Sequence, residues 1–485
     1  MRNSFFDDSP NRRCKQVMSK RIFIGLVFGL LLVHLALAGW APPSSDELYY
    51  WCWSKELQPS YFDHGPLTAY LIRLSTTVFG DTVFAMRLPA CLCTFTMLLL
   101  LGRLTRPLTV LGWVMLTPPC FLFAVVITPD APLLSFWTAY VVWLVGLHEC
   151  LAKETGAGWS RWLLGGVLLG LGILSKYTMG LAGISAGLSL LGVRPWRKWI
   201  FGFFLHGAIA FAVSSPILIY NLQEHFAPLS FQWQHVMQVD EPTIRFLPEF
   251  IGGQLLAVGF LPLSLTPWLI WHRRTLSADP RLRACLYLFL VPYLFFFYKA
   301  TRDRMEINWP IMAYTAFWPL AAHWFEQIHA QTWRRRLGYA TFALPIVATA
   351  VVTWHLLSPI SLVPPRKDIL TRYGSWYSLS QQVGRAVQQF GPEKPIFALN
   401  HQLTAYLRFQ HLHGEQIPGF VRTSHFTQKP FPWQDHSSFF VLYEGVPPNE
   451  YFPGFEFSKV VAEFPLMNRG QELTRYSLLQ YVKVH

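Results

Sequence analysis

Charge is scarce in this 485-residue chain, in which only 14% of the residues are Asp, Glu, Lys or Arg. Soluble domains carry about 25% charged residues, and 52% of this chain is hydrophobic, so a water-soluble enzyme of this size is not expected. Walker A, GxGxxG and HExxH sequences are absent, and ATP binding loses support accordingly. The composition also excludes the disordered and collagen-like classes.

Cysteine is scarce as well. The chain has seven cysteines, no CxxC pair and no cysteine after residue 285, so neither a cysteine metal cluster nor a disulfide framework is expected. What is abundant is apolar sequence, arranged in long blocks that short basic or proline-containing breaks separate. This arrangement is typical of a membrane protein with several spans.

Eleven apolar blocks are candidate membrane spans, because about 20 apolar residues cross a bilayer as a helix. The first block follows several basic residues without a convincing cleavage site, so it is predicted to remain as an uncleaved anchor. The candidate spans are 22–40, 83–102, 107–127, 131–150, 162–175, 178–193, 199–219, 250–271, 284–298, 308–325 and 337–358. The predicted fold class is mainly α, a polytopic transmembrane helical bundle of about eleven spans.

The formal net charge of +13 follows from membrane topology. With the N-terminus inside, twenty basic residues before residue 360 lie on the predicted cytoplasmic side and eight on the other side. Such an excess is typical of cytoplasmic loops, so the charge does not indicate a nucleic-acid partner. Residues 1–21 are therefore predicted to be a cytoplasmic N-terminus, and residues 22–359 a transmembrane catalytic region whose first outer loop is 41–82.

An odd number of spans places residues 360–485 outside the cytoplasm. The apolar pattern from Tyr377 to Phe390 is helical and ends at Gly391. Strand-like runs follow at 395–399, 439–443, 459–464 and 477–484. This tail is predicted to be a small extracytoplasmic, soluble α/β domain.

The first outer loop carries two candidate catalytic carboxylates. Asp46 and Glu47 lie within about two helical turns of the first span, so they should lie near the outer membrane surface. The aromatic run that follows, with Tyr49, suits the membrane interface. Tyr49, Tyr61 and Tyr177 are predicted to line the substrate site. The alternative explanation is an ordinary polar loop with a Ser-Asp helix N-cap.

Asp130 and Lys176 are isolated charges between apolar helices. A carboxylate that faces lipid costs about 2.5–3.5 kcal/mol on insertion scales, so Asp130 should face protein or an aqueous cavity. It can also cap the helix that starts at Ala131. Lys176 suits an anion-binding role beside Tyr177, and the alternative is a lysine that snorkels at a helix end.

The last outer loop, residues 299–310, concentrates charge between two spans. Its Arg302 and Arg304 suit phosphate, because a guanidinium can bind phosphate in a bidentate manner. In the first loop, Asp63 and His64 are candidate ligands for a divalent metal, together with other outer His, Asp and Glu residues. Those other residues are His225, His235, Asp240 and Glu241.

Carboxylates, cations and aromatic residues thus occupy one predicted membrane face. This combination favours a reaction whose leaving group is a lipid-borne phosphate. A carboxylate would take a proton from the acceptor hydroxyl or amine. Arginine and lysine, with or without a metal, would neutralise the departing phosphate.

Five segments carry a resemblance to a known family. They are SSDELYYWCWSKELQPSYFDHGPL, FGDTVFAMRLPA, TPDAPLLSFW, LGLGILSKYTMG and EINWPIMAY. Together they resemble the integral-membrane GT-C glycosyltransferases, in the group that contains the aminoarabinose transferases of lipid A and the protein O-mannosyltransferases. The resemblance covers about residues 20–325, and the first-loop pattern is its most specific part.

The resemblance implies a multi-pass protein of the bacterial inner membrane that uses a sugar on a polyprenyl phosphate, undecaprenyl phosphate in bacteria, and transfers it on the periplasmic side. It implies that Asp46 is the catalytic base, with Glu47 beside it, and that Asp130 assists the base, a metal or the acceptor. The family's loop segment near the lipid phosphate maps to a run that includes Tyr61, Asp63 and His64.

One departure from the family concerns this run. Aminoarabinose transferases typically have Glu-Lys-Pro where this chain has Asp-His-Gly, and His64 need not be charged at neutral pH. Either His64 is a metal ligand or Arg73 supplies the missing charge, and the sequence leaves both open.

Three functions remain in view. The first is an inverting transferase that acts on lipid A, lipopolysaccharide or another envelope glycan. The second is protein O-mannosylation, which differs in its acceptor. The third is a transporter or flippase for the lipid-linked sugar, which would favour inverted repeats and charged or broken helices at the bilayer midplane; the sequence displays no such repeat.

Overall fold

A computed structural model of the chain describes residues 10–105, 111–153, 157–237, 243–328, 331–391, 393–417, 424–428, 431–444 and 452–484. It divides into two compact units. The first unit contains Met1–Gly39 and Arg87–Val351, and the second contains Trp40–Met86 and Val352–His485. The first outer loop is therefore grouped with the C-terminal tail, which the sequence did not predict.

The described residues form a helical first unit and a mixed second unit. The helices are, in chain order, α1 (Pro10–Trp40), α2 (Ser45–Lys55), α3 (Leu67–Phe79), α4 (Val83–Leu104), α5 (Leu111–Val114), α6 (Pro118–Phe121), α7 (Asp130–Leu151), α8 (Trp159–Ser175), α9 (Gly180–Leu190), α10 (Ile200–Gln223), α11 (Ala227–Met237), α12 (Leu247–Val258), α13 (Leu261–Trp271), α14 (Arg273–Leu276), α15 (Pro280–Ala300), α16 (Ile311–Gln327), α17 (Thr332–Ala340), α18 (Ala343–Leu357), α19 (Ile369–Phe390) and α20 (His401–Phe409). The strands are β1 (Ile396–Ala398), β2 (Gly414–Gln416), β3 (Ser438–Tyr443), β4 (Phe455–Asn468) and β5 (Gln471–Lys483).

Six helices of the described chain are long and apolar enough to cross a membrane. They are Lys20–Trp40, Val83–Leu104, Asp130–Leu151, Trp196–Gln223, Pro280–Ala300 and Arg335–Leu357. A seventh crossing results if the bent pair α12 and α13 counts as one span. The prediction of a mainly α protein with several membrane-spanning helices is confirmed. The predicted number of eleven spans is not confirmed, since six or seven described segments are long and apolar enough.

The predicted span 250–271 and the described part of 107–127 are broken into shorter elements. The described part of 107–127 forms α5, α6 and a short 3-10 turn at Phe123–Val125. The consecutive prolines at 118 and 119 lack the N–H groups that a continuous helix needs there. The predicted span 250–271 bends by 102°, and Gly259 at the break has φ +83°, a conformation that glycine adopts without strain.

Glycines allow α8 and α10 to pack closely in the first unit. A Cβ atom on Gly166 would lie 2.6 Å from the backbone oxygen of His206, and one on Gly170 would lie 2.9 Å from that of Ala210. Backbone oxygens cannot move aside as a flexible side chain can, so these positions require glycine for the observed approach, which is typical of helix packing in membranes. This packing holds the helix that ends immediately before Lys176.

The second unit is built on a five-stranded sheet in the order β2-β1-β3-β5-β4. Strand β1 pairs in parallel with β2 and β3, and β5 pairs antiparallel with β3 and β4. The predicted helix, which ends at Gly391, and the four predicted strands are confirmed as α19, β1, β3, β4 and β5. Strand β2 was not predicted, because its three residues, GEQ, carry no strand-like apolar pattern.

Apolar side chains pack on both faces of the sheet, since successive side chains along a strand point to opposite faces. On β3, Phe440 and Leu442 join one apolar cluster with residues of α19, whereas Phe439 and Val441 join a second cluster. Helix α20 packs on α2 of the first outer loop. There the Tyr406 hydroxyl donates a hydrogen bond to the Pro43 carbonyl oxygen at 3.0 Å. This hydrogen bond connects the segment just before α2 to α20.

Candidate active site

Helix α2 begins with two adjacent carboxylates in different environments. The Ser44 Oγ accepts a hydrogen bond from the Glu47 backbone N–H at 3.3 Å, and the Glu47 Oε2 accepts one from the Ser44 N–H at 2.9 Å. This reciprocal arrangement is a capping box, and Glu47 is completely buried. Asp46 is exposed. The carboxylate of Glu47 therefore caps the start of the helix, whereas Asp46 is exposed to solvent.

Tyr373 of α19, which was not predicted as a site residue, is part of the surroundings of these carboxylates. Burial raises the pKa of Tyr373, and the negative charges of Asp46 and Glu47 raise it further. The phenol therefore keeps its proton at neutral pH. The helix N-terminus itself favours negative charge at Asp46, because the unpaired N–H groups of the first turn carry partial positive charge.

The predicted substrate-lining Tyr49 is a buried packing residue in this structure. Its hydroxyl donates to Asp63 Oδ2 at 2.8 Å and accepts from the His425 backbone N–H at 2.8 Å. Its ring lies 4.8 Å from that of His401. These contacts explain why an aromatic residue with a polar tip is placed there, and a contact of Tyr49 with substrate stays a prediction.

Tyr61 is also fully buried. Its ring stacks on Trp53 with centroids 4.5 Å apart, and its hydroxyl donates to the Trp53 carbonyl oxygen at 2.8 Å. Nearby in the sequence, His64 is half-buried and Arg73 is exposed on α3. The phosphate-binding roles of His64 and Arg73 and the substrate-lining role of Tyr61 stay predictions.

In the first unit, Asp130 and Lys176 form an ion pair. Lys176 Nζ lies 2.7 Å from Asp130 Oδ1, and the two side chains are 10% and 17% exposed, respectively. The other carboxylate oxygen, Oδ2, accepts a hydrogen bond from Asn308 Nδ2 at 2.7 Å. Three segments distant in sequence thus meet at one carboxylate. Asp130 faces protein, as the cost of placing a charge against lipid led us to expect.

Local structure explains how Lys176 reaches this position. It is the extended residue between α8 and the 3-10 turn Tyr177–Met179, with φ −153° and ψ 135°. The preceding Ser175 donates its hydroxyl to the Pro129 carbonyl oxygen at 3.1 Å, which ties the end of α8 to the start of α7. Lys176 therefore does not snorkel to a surface; it is 8% exposed. Tyr177 beside it is half-buried.

The two arginines of the last outer loop differ in their contacts. The Arg304 guanidinium pairs with Glu249 at 2.8 Å, and both side chains are more than half exposed. Arg302 lies with its guanidinium 5.3 Å from the centre of the Tyr298 ring. Asn308 in the same loop was missed by the sequence analysis, although it stands in the EINWP segment that carried the family resemblance.

The described residues contain no group of three or more His, Cys, Asp or Glu side chains placed to hold a metal ion. Asp63 Oδ2 accepts a hydrogen bond from the Tyr49 hydroxyl. Asp63 and His64 do not belong to a group of three or more potential metal ligands among the described residues. Asp240, Glu241 and the side chain of His235 lie outside the described residues. The residues that the structure describes therefore do not form a metal centre.

Comparison with known proteins adds sequence relatives. The family described as dolichyl-phosphate-mannose-protein mannosyltransferase matches residues 63–220. A lipid A galacturonosyltransferase, RgtD of Rhizobium johnstonii, is 24% identical over 393 residues, which cover 78% of this chain and 80% of that protein.

Solved structures share the fold. ArnT from Cupriavidus metallidurans, bound to undecaprenyl phosphate, superposes with a TM-score of 0.59 at 16% identity, covering 94% of this chain and 97% of that one. The apo state of the same protein gives the same TM-score at 15% identity. The likeness extends over both the helical unit and the sheet unit of this chain.

Proposed function

We propose that this chain, whose resemblance to the GT-C integral-membrane glycosyltransferases is confirmed by sequence relatives and by fold, transfers a sugar from a polyprenyl-phosphate carrier to lipid A or lipopolysaccharide. The acceptor is proposed from the relative that acts on lipid A, and the carrier from the structural neighbour that binds undecaprenyl phosphate. The observation that carries the chemistry is the exposed Asp46 beside the buried Glu47 at the start of α2.

In the proposed reaction, the Asp46 carboxylate takes the proton of the acceptor hydroxyl or amine. The acceptor atom then attacks the anomeric carbon of the sugar from the face opposite the phosphate. The bond between that carbon and the phosphate oxygen breaks, and its electron pair leaves with the polyprenyl phosphate. The transfer inverts the anomeric configuration, because one displacement occurs. A general base in such a step contributes about 10²- to 10⁴-fold.

Lys176 is proposed to contact the donor phosphate. An ammonium group has three N–H donors, and Asp130 accepts from one of them. Asp130 thereby holds the ammonium group in place and offsets its charge in the resting protein. His64, Arg73, Arg302 and Arg304 are proposed as further, weaker contributors to phosphate binding. Arg304 ranks low among them because it pairs with Glu249 at the surface, where such pairs contribute little.

The proposed topology keeps eleven crossings in a bacterial inner membrane. The shorter helices α8, α9 and α16 and the predicted span 107–127 would add to the six long helices and the bent pair. The N-terminus is then cytoplasmic, and the unit with the sheet and residues 360–485 is periplasmic. A reporter fused after His485 should be active only if it requires export. Activity of a strictly cytoplasmic reporter at that position would contradict the orientation.

Protein O-mannosylation is the second candidate, because the matched family is described by that activity. It uses the same carrier chemistry and differs in the acceptor. The two candidates are therefore separated by the product rather than by Asp46 or Lys176.

Mass spectrometry of lipid A from cells with and without the gene tests the main proposal. We expect a mass difference of one sugar residue that depends on the gene and is lost with Asp46→Asn. An unchanged lipid A and lipopolysaccharide profile, together with a gene-dependent glycopeptide, would instead favour the second candidate. Reconstitution with a purified polyprenyl-phosphate sugar would then identify the donor.

A further inference from the structure

Gln254 in α12 is a buried amide whose two ends are both engaged. Its Nε2 donates to the Ile307 carbonyl oxygen at 3.0 Å, and its Oε1 accepts from the Tyr314 hydroxyl at 2.6 Å. Gln254 is 6% exposed and Tyr314 is 2% exposed. Both hydrogen bonds lie in the low-dielectric interior of the first unit, where an unpaired amide is costly. The helix that carries Gln254 is thereby tied to the loop before α16.

A second observation places α12 against the side chain of the same residue, Ile307. A Cβ atom on Gly253 would lie 2.6 Å from the Ile307 Cγ1, whereas one on Gly252 would meet no atom within 4 Å. Gly253 therefore allows the close approach that the Gln254 hydrogen bond needs. The neighbouring Gly252 has no such role, which makes it a natural control.

Ile307 is the residue before Asn308, and Asn308 donates to Asp130 Oδ2 at 2.7 Å. The loop there consists of turns rather than a helix or strand, and Asn308 is exposed. Its position consequently depends on what holds the preceding backbone. Asp130 in turn binds Lys176 through its other oxygen. A continuous set of contacts thus runs from Tyr314 and Gln254 through Ile307 and Asn308 to the ion pair.

We infer that Gln254 is a positioning residue for the Asp130–Lys176 ion pair, acting through the backbone of Ile307 and the side chain of Asn308. Gln254 contacts neither charged group. It fixes the loop so that the Asn308 amide meets Asp130 and holds this carboxylate in the orientation that presents the Lys176 ammonium group. The consequence for catalysis rests on the proposed function, in which Lys176 contacts the donor phosphate.

The first test measures turnover of the full-length protein in lipid nanodiscs with a polyprenyl-phosphate sugar as donor. Gln254→Leu removes both hydrogen bonds at nearly unchanged size, and we expect kcat/KM to fall about tenfold, since small displacements in a positioned site are costly. Gly253→Ala should also lower kcat/KM by displacing Ile307. Gly252→Ala, on the same helix, should leave it unchanged. Gly253→Ala keeps the test valid if Gln254→Leu folds poorly.

A double-mutant cycle distinguishes positioning from general destabilisation. If Gln254 acts through Asn308, adding Gln254→Leu to Asn308→Ala should lower kcat/KM by less than about twofold. The Asn308 side chain that connects the loop to Asp130 is then already absent. Additive losses of kcat/KM would overturn the inference, because a merely structural role has no reason to vanish in the Asn308 variant.

A second measurement does not depend on the reaction. Lys176 is acylated with a water-soluble, amine-reactive reagent, and the rate is measured by mass spectrometry. This rate reports how firmly the ion pair is held. We expect about fivefold faster labelling in Gln254→Leu and in Asn308→Ala, and no further increase in the double variant. Unchanged labelling in Gln254→Leu would overturn the inference. If the wild type transfers no sugar from any polyprenyl-phosphate donor, the proposed function fails, while the labelling still decides the role of Gln254.

Discussion

Replacing Asp46 with asparagine is expected to lower the rate of sugar transfer by about a thousandfold, within the range that a general base contributes. Asparagine keeps the shape of the side chain but cannot accept the acceptor's proton. Because Asp46 is exposed and Glu47 forms the capping box, the substitution should leave α2 folded. The measurement is kcat on the full-length protein, with thermal unfolding as the test of folding.

Glu47→Gln is the matched control for this experiment. It removes a neighbouring carboxylate, yet its amide oxygen can still accept from the Ser44 N–H, and Glu and Gln both serve in a capping box. We expect this variant to retain most of the turnover. Near-normal turnover in Asp46→Asn would refute the base assignment, and a loss confined to Glu47→Gln would transfer the role to the buried carboxylate.

Lys176→Met is expected to raise the donor KM by about 10- to 100-fold, with a smaller effect on kcat. Methionine keeps much of the length and apolar character of the side chain and removes the charge. A hydrogen bond to a charged group contributes about 1.5–3 kcal/mol, which corresponds to a change of that order in binding. The variant also leaves the Asp130 carboxylate without its cationic partner, although Asn308 still donates to it, so Asp130→Asn in the same background should restore folding if expression falls.

Arg304→Met provides the comparison for Lys176. Its guanidinium is exposed and paired with Glu249, and exposed pairs contribute little because solvent screens them. We therefore expect the donor KM to change far less than in Lys176→Met. A reversed order, with Arg304→Met the more severe, would place the phosphate contact in the loop 299–310 instead of at the end of α8.

Much of the fold could be predicted from local pattern. The blocks at 22–40, 83–102 and 131–150 appear as α1, α4 and α7, and the four apolar runs of the tail appear as strands. Burial in a bilayer or in a sheet imposes a regular spacing on apolar residues, and this spacing is legible in a single sequence. Where turn residues interrupt it, as at prolines 118 and 119 or at Gly259, the predicted helices were too long.

The candidate site was less predictable. Asp130 and Lys176 were selected separately for the cost of charge near lipid, but their mutual contact depends on the packing of α7 against α8. Asn308 and Gln254 carry no charge and no unusual spacing, so no signal marked them. The resemblance assigned the base to Asp46 and not to Glu47, but the residue pattern gave the two adjacent acids no different environments. The capping hydrogen bonds of Glu47 provide that difference.

The sequence by itself determined that this protein lies in a membrane, which residues are apolar enough to cross it, and which few charges stand apart from the sorting rule for loops. These properties follow from transfer free energies, which act on each segment separately. Only the tertiary structure decided that three distant segments meet at Asp130, that the first outer loop folds with the tail, and that Glu47 is buried while Asp46 is exposed. Those outcomes depend on hydrogen bonds and packing between segments, whose partners are many residues apart in the chain.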